Sequence, residues 1–184
     1  MPSFLEPRWR GVHQLSRLNA TQRDWLLDEG SLTARLKHLS QGEFRVQVLA
    51  QRWQRARRSE VQLLGITPRA ACLVREVILS GNNQAWIYAR SVMPATSLTG
   101  HLYRLRRLKN SSLGELLFRD HSLSRSPFEL TRFSAQHPHL PAQIDRSSSL
   151  IGRRCRFELS GKSLLVSEIF LPALWQCIDR AIYR

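Results

Sequence analysis

The sequence predicts an α+β domain built on one antiparallel sheet with helical hairpins lying over it. Three observations carry that prediction. Every well-marked strand pair is joined by a short turn, Ser80-Gly81-Asn82-Asn83-Gln84 in one case and Ser160-Gly161-Lys162 in the other, so the pairing is antiparallel. Stretches with helical periodicity are inserted between the strands. The order is helices, strand, hairpin, helices, strand, hairpin, which segregates helices from strands as α+β folds do.

Residues 1–20 read as an irregular segment anchored by Trp9 and Leu15. Thr21 with Asp24 three residues on suggests a helix start, and Gly30 a stop. Ser31 caps a second short helix whose Leu32, Leu36 and Leu39 share a face. This pair of helices reads as a cover, because Arg35, Lys37 and His38 are too few for a groove-reading helix. Alternation of Phe44, Val46, Val48 and Ala50 predicts a half-buried strand over 43–51. Residues 52–60 are polar and basic and read as a loop.

Strands follow at 71–79 and 85–93, and Pro94-Ala95-Thr96-Ser97 ends the second. Leu98, Leu102, Leu105 and Leu108 recur at helical spacing, and a short helix runs from Ser112 through Phe118. Together, 97–118 form a second helical hairpin. A strand at 125–133, a long loop at 134–149 containing Pro138 and Pro141, and a hairpin of 153–159 with 163–171 complete the sheet. The tail, 173–184, places Leu174, Trp175, Ile178 and Ile182 at helical spacing.

Composition bounds the function. A chain of 184 residues with 42% hydrophobic residues is long and apolar enough for one globular domain. Twenty-eight basic against 14 acidic residues give a formal charge of +14. The cations are spread along the chain, without zinc-finger spacing, a leucine zipper or an RNA-binding signature, so nucleic-acid binding is not expected. Three cysteines without a CxxC pair argue against a disulfide framework, and Cys72 and Cys155 read as small core residues. The N-terminus lacks the apolar core of a signal peptide, and no apolar run is long enough to span a bilayer. A cytoplasmic protein without stable membrane insertion is expected. His137 and His139 flank Pro138 with no third ligand in sight, so no metal is expected.

Two residues stand out as misplaced. Glu168 interrupts the apolar strand Leu164–Leu171, and Arg75 sits among the branched aliphatics of Leu73–Leu79. Burying either charge costs several kcal/mol unless something answers it. Strand parity extends the point. If the first hairpin turns at Asn82-Asn83, Arg75 faces Arg90; if at Gly81-Asn82, it faces Tyr88. Both registers put Arg75 and Arg90 on one face, where a bound anion would relieve their repulsion. In the last hairpin Glu168 falls opposite Cys155 or Arg153, and Arg153 shares its face in either register. A structural ion pair of Glu168 with Arg153 or Arg75 therefore stands beside a ligand site. No Gly-rich phosphate loop or GxSxG elbow is present.

The ordered set of Asp24-Trp25-Leu26-Leu27, Leu73-Val74-Arg75-Glu76-Val77-Ile78-Leu79, Ala89-Arg90-Ser91-Val92-Met93-Pro94, Leu113-Gly114-Glu115-Leu116-Leu117-Phe118, Leu159-Ser160-Gly161-Lys162 and Glu168-Ile169-Phe170-Leu171-Pro172 resembles the chorismate pyruvate-lyase family. These bacterial enzymes make 4-hydroxybenzoate for ubiquinone. The resemblance spans about Asp24 to Pro172 and implies a single antiparallel sheet with helical flaps over an enclosed ligand cavity. It implies a cofactor-free monomer that eliminates pyruvate from chorismate. It further implies that Arg75 binds the ring carboxylate with help from the main-chain N–H groups of Leu32 and Leu113, and that Glu168 meets the ring hydroxyl. Arg90 is a candidate for the enolpyruvyl carboxylate. The chain departs from the family pattern at Leu32, where Met is common, and in the longer 133–150 segment and tail. The alternative is a non-catalytic domain of the same fold that binds a small aromatic acid, as in the effector domains of transcription regulators.

Overall fold

The computed structural model describes residues 6–14, 17–134, 136–145 and 147–182; Leu15 and the side chain of Ile182 lie outside the described residues. Its centre is an eight-stranded antiparallel sheet. The strands are β1 (Arg10–Gly11), β2 (Arg45–Arg55), β3 (Ala71–Gly81), β4 (Gln84–Pro94), β5 (Ser124–Arg125), β6 (Glu129–Phe133), β7 (Leu150–Leu159) and β8 (Lys162–Phe170). They are ordered β1-β6-β7-β8-β4-β3-β2, with β5 pairing β7 off the path. The two long hairpins, β3–β4 and β7–β8, thus lie side by side through the β4–β8 pairing. These central strands are covered on both faces, which is why they read as largely apolar runs rather than alternating ones.

One face carries the flaps. The first is α1 (Ala20–Leu26) followed by α2 (Leu32–Leu39). The second is a 3₁₀ helix at Gly100–Arg107 followed by α4 (Leu113–Leu117). The C-terminal α5 (Pro172–Ile182) packs on this face too, with Leu174 and Ile178 against Trp86 and Phe170. The opposite face is covered by α3 (Arg58–Leu64) and by the 134–149 loop, which lays Leu140 and Ile144 on Ile78, Tyr88 and Ile169.

Several boundaries differ from the sequence reading, each for a local reason. Helix α1 is capped by Asn19, not Thr21: Asn19 accepts from the Gln22 N–H at 2.7 Å and Gln22 reaches back to the Asn19 N–H. The stretch 52–60 is not a loop. Its first part extends β2 to Arg55, and the rest opens α3, whose Glu60 returns to the Arg57 N–H at 2.8 Å. The Leu98–Leu108 segment winds as a 3₁₀ helix. Three residues per turn keep Leu102, Leu105 and Leu108 on one buried stripe as well as an α-helix would. The strand expected at 125–133 divides into β5 and β6 around Ser126-Pro127-Phe128.

The largest correction concerns the β3–β4 register. The turn is the two-residue Asn82-Asn83, both residues at positive φ (52° and 59°), as the first of the two registers requires. The register then shifts by one residue between Leu79 and Ser80, so Arg75 faces Ser91 and Glu76 faces Arg90. Ser80 pairs Ala85 and Leu79 pairs Ile87, which leaves Trp86 as the extra residue of a β-bulge. The buried indole lies over Gly81, where an added Cβ would come within 2.1 Å of the ring. One inserted residue inverts the parity, so Arg75 and Arg90 lie on opposite faces.

Candidate active site

The face under the flaps holds Arg75 and Val77 on β3, Ala89 and Ser91 on β4, Val166 and Glu168 on β8, and Arg153 on β7. With the flap residues Leu32, Leu113, Leu117 and Phe118, together with Phe128, they line one cavity. About 50 Å³ is open to the centre of a water molecule, where a single water needs ~10–15 Å³. The space thus holds a few waters or a small ligand. Of the residues singled out from the sequence, Leu32, Arg75, Leu113 and Glu168 line it, and Arg90 does not.

Arg75 is 2% exposed. Its guanidinium donates to Gln51 Oε1 at 3.0 Å and to the carbonyls of Lys109 and Ser111 at 2.7 and 3.0 Å. These acceptors are neutral, and no ion pair among the described residues includes Arg75. Burial holds its pKa below the usual arginine value. A buried cation held by oriented carbonyls and lacking an acid is a site prepared for an anion.

The flaps bring further donors to this end. Leu32 and Leu113 are the first residues of α2 and α4, capped by Ser31 and Ser112. First-turn N–H groups have no intrahelical acceptor. The two helix starts meet closely: Thr33 Oγ1 and Ser112 Oγ are 2.6 Å apart, and a Cβ on Gly114 would lie 3.2 Å from Thr33 Oγ1. Lys37 to Glu115, 2.9 Å, ties the flaps outside.

Glu168 occupies the other end. Its Oε2 accepts from Arg153 Nε at 2.6 Å, so the ion pair that sequence parity allowed is formed, and with Arg153 rather than Arg75. Among the described residues no other hydrogen bond to the Glu168 side chain is made, which leaves Oε1 for a ligand. Arg153 Nη1 also donates to the carbonyls of Trp25, Leu26 and Asp28, at 3.1, 3.3 and 3.0 Å. Arg75 and Glu168 are separated by one intervening strand and a two-residue offset. Strand geometry puts their Cα atoms about 12 Å apart. Both side chains line the same cavity, whose other walls include Val77, Leu117, Phe128 and Phe157.

Arg90 does not belong to this cavity. It lies on the far face, bonded to Glu60 at 2.7 Å and Glu76 at 2.9 Å. Cys155 does not suit nucleophilic chemistry: burial, then the nearby Glu168 charge, push its thiol up to about 12. Among the described residues no group of three His, Cys, Asp or Glu is placed to hold a metal. No helix of the described residues is long and apolar enough to cross a membrane.

Sequence reasoning missed Gln51 and Phe128. Gln51 is brought onto the Arg75 face by a register shift in β2 between Val48 and Ala50, which alternation alone does not reveal. Phe128 sits in the break between β5 and β6, within a stretch read as a plain strand.

The chorismate lyase family model matches residues 5–179. The chain belongs to the chorismate lyase family. It is 45% identical over 167 residues to a "Probable chorismate pyruvate-lyase" of Pseudomonas aeruginosa, covering 91% of this chain and 92% of that protein. It is 47% identical over 176 residues to one so named in Pseudomonas putida, covering 95% and 94%. As a chorismate lyase family member it is a lyase. Among solved structures, the effector domain of PhnF from Mycobacterium smegmatis matches with a TM-score of 0.58 at 15% identity, covering 80% of this chain and 91% of that one. A GntR-family ligand-binding domain from Bordetella bronchiseptica matches at 0.54 and 17%, covering 71% and 86%. At such identities the likeness concerns the fold.

Proposed function

We propose that the protein is a chorismate pyruvate-lyase that releases 4-hydroxybenzoate as an aromatic precursor for ubiquinone. The observation that carries this reading is the pairing of an acid-free buried Arg75 with Glu168 in one cavity under the flaps. Family membership and relatives at 45–47% identity support it.

In this reading Arg75 and the N–H groups of Leu32 and Leu113 hold the ring carboxylate. Glu168 Oε1 faces the ring carbon that bears the hydroxyl. The ether C–O bond breaks toward the enolpyruvyl oxygen, and the proton on the neighbouring hydroxyl-bearing carbon is lost. The electrons of that C–H bond complete the aromatic ring, and the enolate leaving group takes up a proton to become pyruvate. Aromatisation supplies the driving force. Glu168 orients the reacting carbon and accepts or relays its proton, while the closed flaps exclude water. The excess of positive charge favours encounter with dianionic chorismate, an effect that salt weakens.

Incubation of the purified protein with chorismate, following 4-hydroxybenzoate and pyruvate, tests this. The two should appear in equal amounts. Tight binding of 4-hydroxybenzoate without any turnover would instead place the chain functionally with the effector domains.

A further inference from the structure

We infer that Arg153 is a positioning residue that latches the first flap to Glu168, so that opening the flap loosens the hold on that carboxylate. The inference rests on the reading of Glu168 above and goes beyond it. Arg153 is 3% exposed and its guanidinium joins two bodies. Nε holds Glu168 Oε2 on the sheet, and Nη1 holds the carbonyls of Trp25, Leu26 and Asp28 where α1 ends. Carbonyls at a helix end lack intrahelical donors and need a partner. Phe128 and Phe170 flank the guanidinium, with its carbon 4.6 and 5.6 Å from their centroids.

The segment that follows those carbonyls leads through Gly30, which lines the cavity, to Leu32 at the start of α2. Lifting α1 and α2 to admit chorismate or release the ring product must break the Arg153–carbonyl bonds. The freed guanidinium then keeps Glu168 as its remaining anchor and gains freedom to swing with it. The flap and the carboxylate therefore reach their working positions together. Arginine suits this role because its fork serves a carboxylate and separate carbonyls at once. Lysine, with one nitrogen, can hold Glu168 or the flap, but not all four acceptors.

Outside the latch, the flap turn is braced by Asp28, whose carboxylate accepts from Arg35 at 3.1 Å and from the Gly30 N–H at 2.8 Å. Asp28→Ala therefore loosens the flap turn while keeping the Arg153 and Glu168 side chains and the Asp28 carbonyl that Arg153 grips.

The test compares wild type, Arg153→Lys and Asp28→Ala. Release of 4-hydroxybenzoate is followed by stopped-flow fluorescence, with Trp25 on the flap as an internal reporter. A single-turnover rate with chorismate is measured beside it. Loss of a charge-assisted bond to the flap should speed release by roughly tenfold or more. Arg153→Lys should also slow the single-turnover step, so release and chemistry move in opposite directions, which general structural damage would not produce. Asp28→Ala should speed release as well, by loosening the turn whose carbonyls Arg153 grips, and this keeps the test decisive if Arg153→Lys does not fold. Unchanged release in the folded variants of an active enzyme would overturn the latch. Absence of chorismate turnover by the wild type is a separate result that overturns the functional reading beneath it.

Discussion

Replacing Arg75 by methionine separates a ligand-binding role from a structural one. Its guanidinium is buried and bonded to three neutral acceptors, with no carboxylate beside it. An anion bound there would receive two charge-assisted hydrogen bonds, each worth about 1.5–3 kcal/mol. Removing them should cost about 3–6 kcal/mol of transition-state binding, or roughly 10²–10⁴ in kcat/KM at about 1.36 kcal/mol per tenfold. Stability should respond differently. Methionine removes a buried cation that no acid compensates, and the loss of three bonds to neutral groups offsets that gain. The net change should stay within about 2 kcal/mol. Steady-state kinetics with chorismate and urea denaturation monitored by circular dichroism measure the two effects. A variant within tenfold of wild-type kcat/KM would refute the carboxylate role. So would a loss of stability of about 4 kcal/mol or more with activity simply following the folded fraction.

Further outcomes are expected elsewhere. Glu168→Gln should lower kcat sharply while costing only about 1–2 kcal/mol of stability, since the amide oxygen still accepts from Arg153 and the site is partly open; kinetics and thermal melts check this. On the far face, Glu60→Ala removes two charge-assisted bonds from the buried Arg90, leaving it Glu76, and should destabilise by about 3–5 kcal/mol without changing kcat/KM of the folded enzyme, as chemical denaturation and kinetics would show. His139 is pushed down from 6.5 to about 4, first by burial and then by the Arg57 charge. It stays neutral in the folded protein while the unfolded chain takes up a proton, so stability should fall as pH drops from about 6.5 toward about 4. Urea titrations across that window should show the slope reduced in His139→Gln. Gly81→Ala drives a methyl into Trp86 and should destabilise by about 2 kcal/mol or more, read from the urea midpoint.

The sheet, its two hairpins and both flaps were legible because each is written in local pattern. Strand runs, turn residues and Ser31 or Ser112 at helix starts are signals the chain carries at short range. Glu168 and Arg75 were legible for a different reason: a charge in an apolar strand needs an answer wherever the strand is placed. Parity also put Arg153 beside Glu168, because the Ser160-Gly161 turn keeps an uninterrupted ladder back to that pair. The same reasoning failed for Arg90, since the bulge at Trp86 is a packing event between a glycine and an indole that no periodicity records. Helix α3 was hidden by its own exposure: its outer residues are polar, and its buried Glu60 is answered by Arg90, distant in sequence. Gln51 escaped for a related reason, its orientation depending on a second bulge.

A structure of the protein with 4-hydroxybenzoate bound tests most directly whether Arg75 and Glu168 receive the two ends of one ring. The ring should lie in the cavity with its carboxylate bonded to Arg75 and to the N–H groups of Leu32 and Leu113. Its hydroxyl should meet Glu168 Oε1, with Arg153 still on Oε2. A ring bound in the opposite sense, or seated outside this cavity, would contradict it.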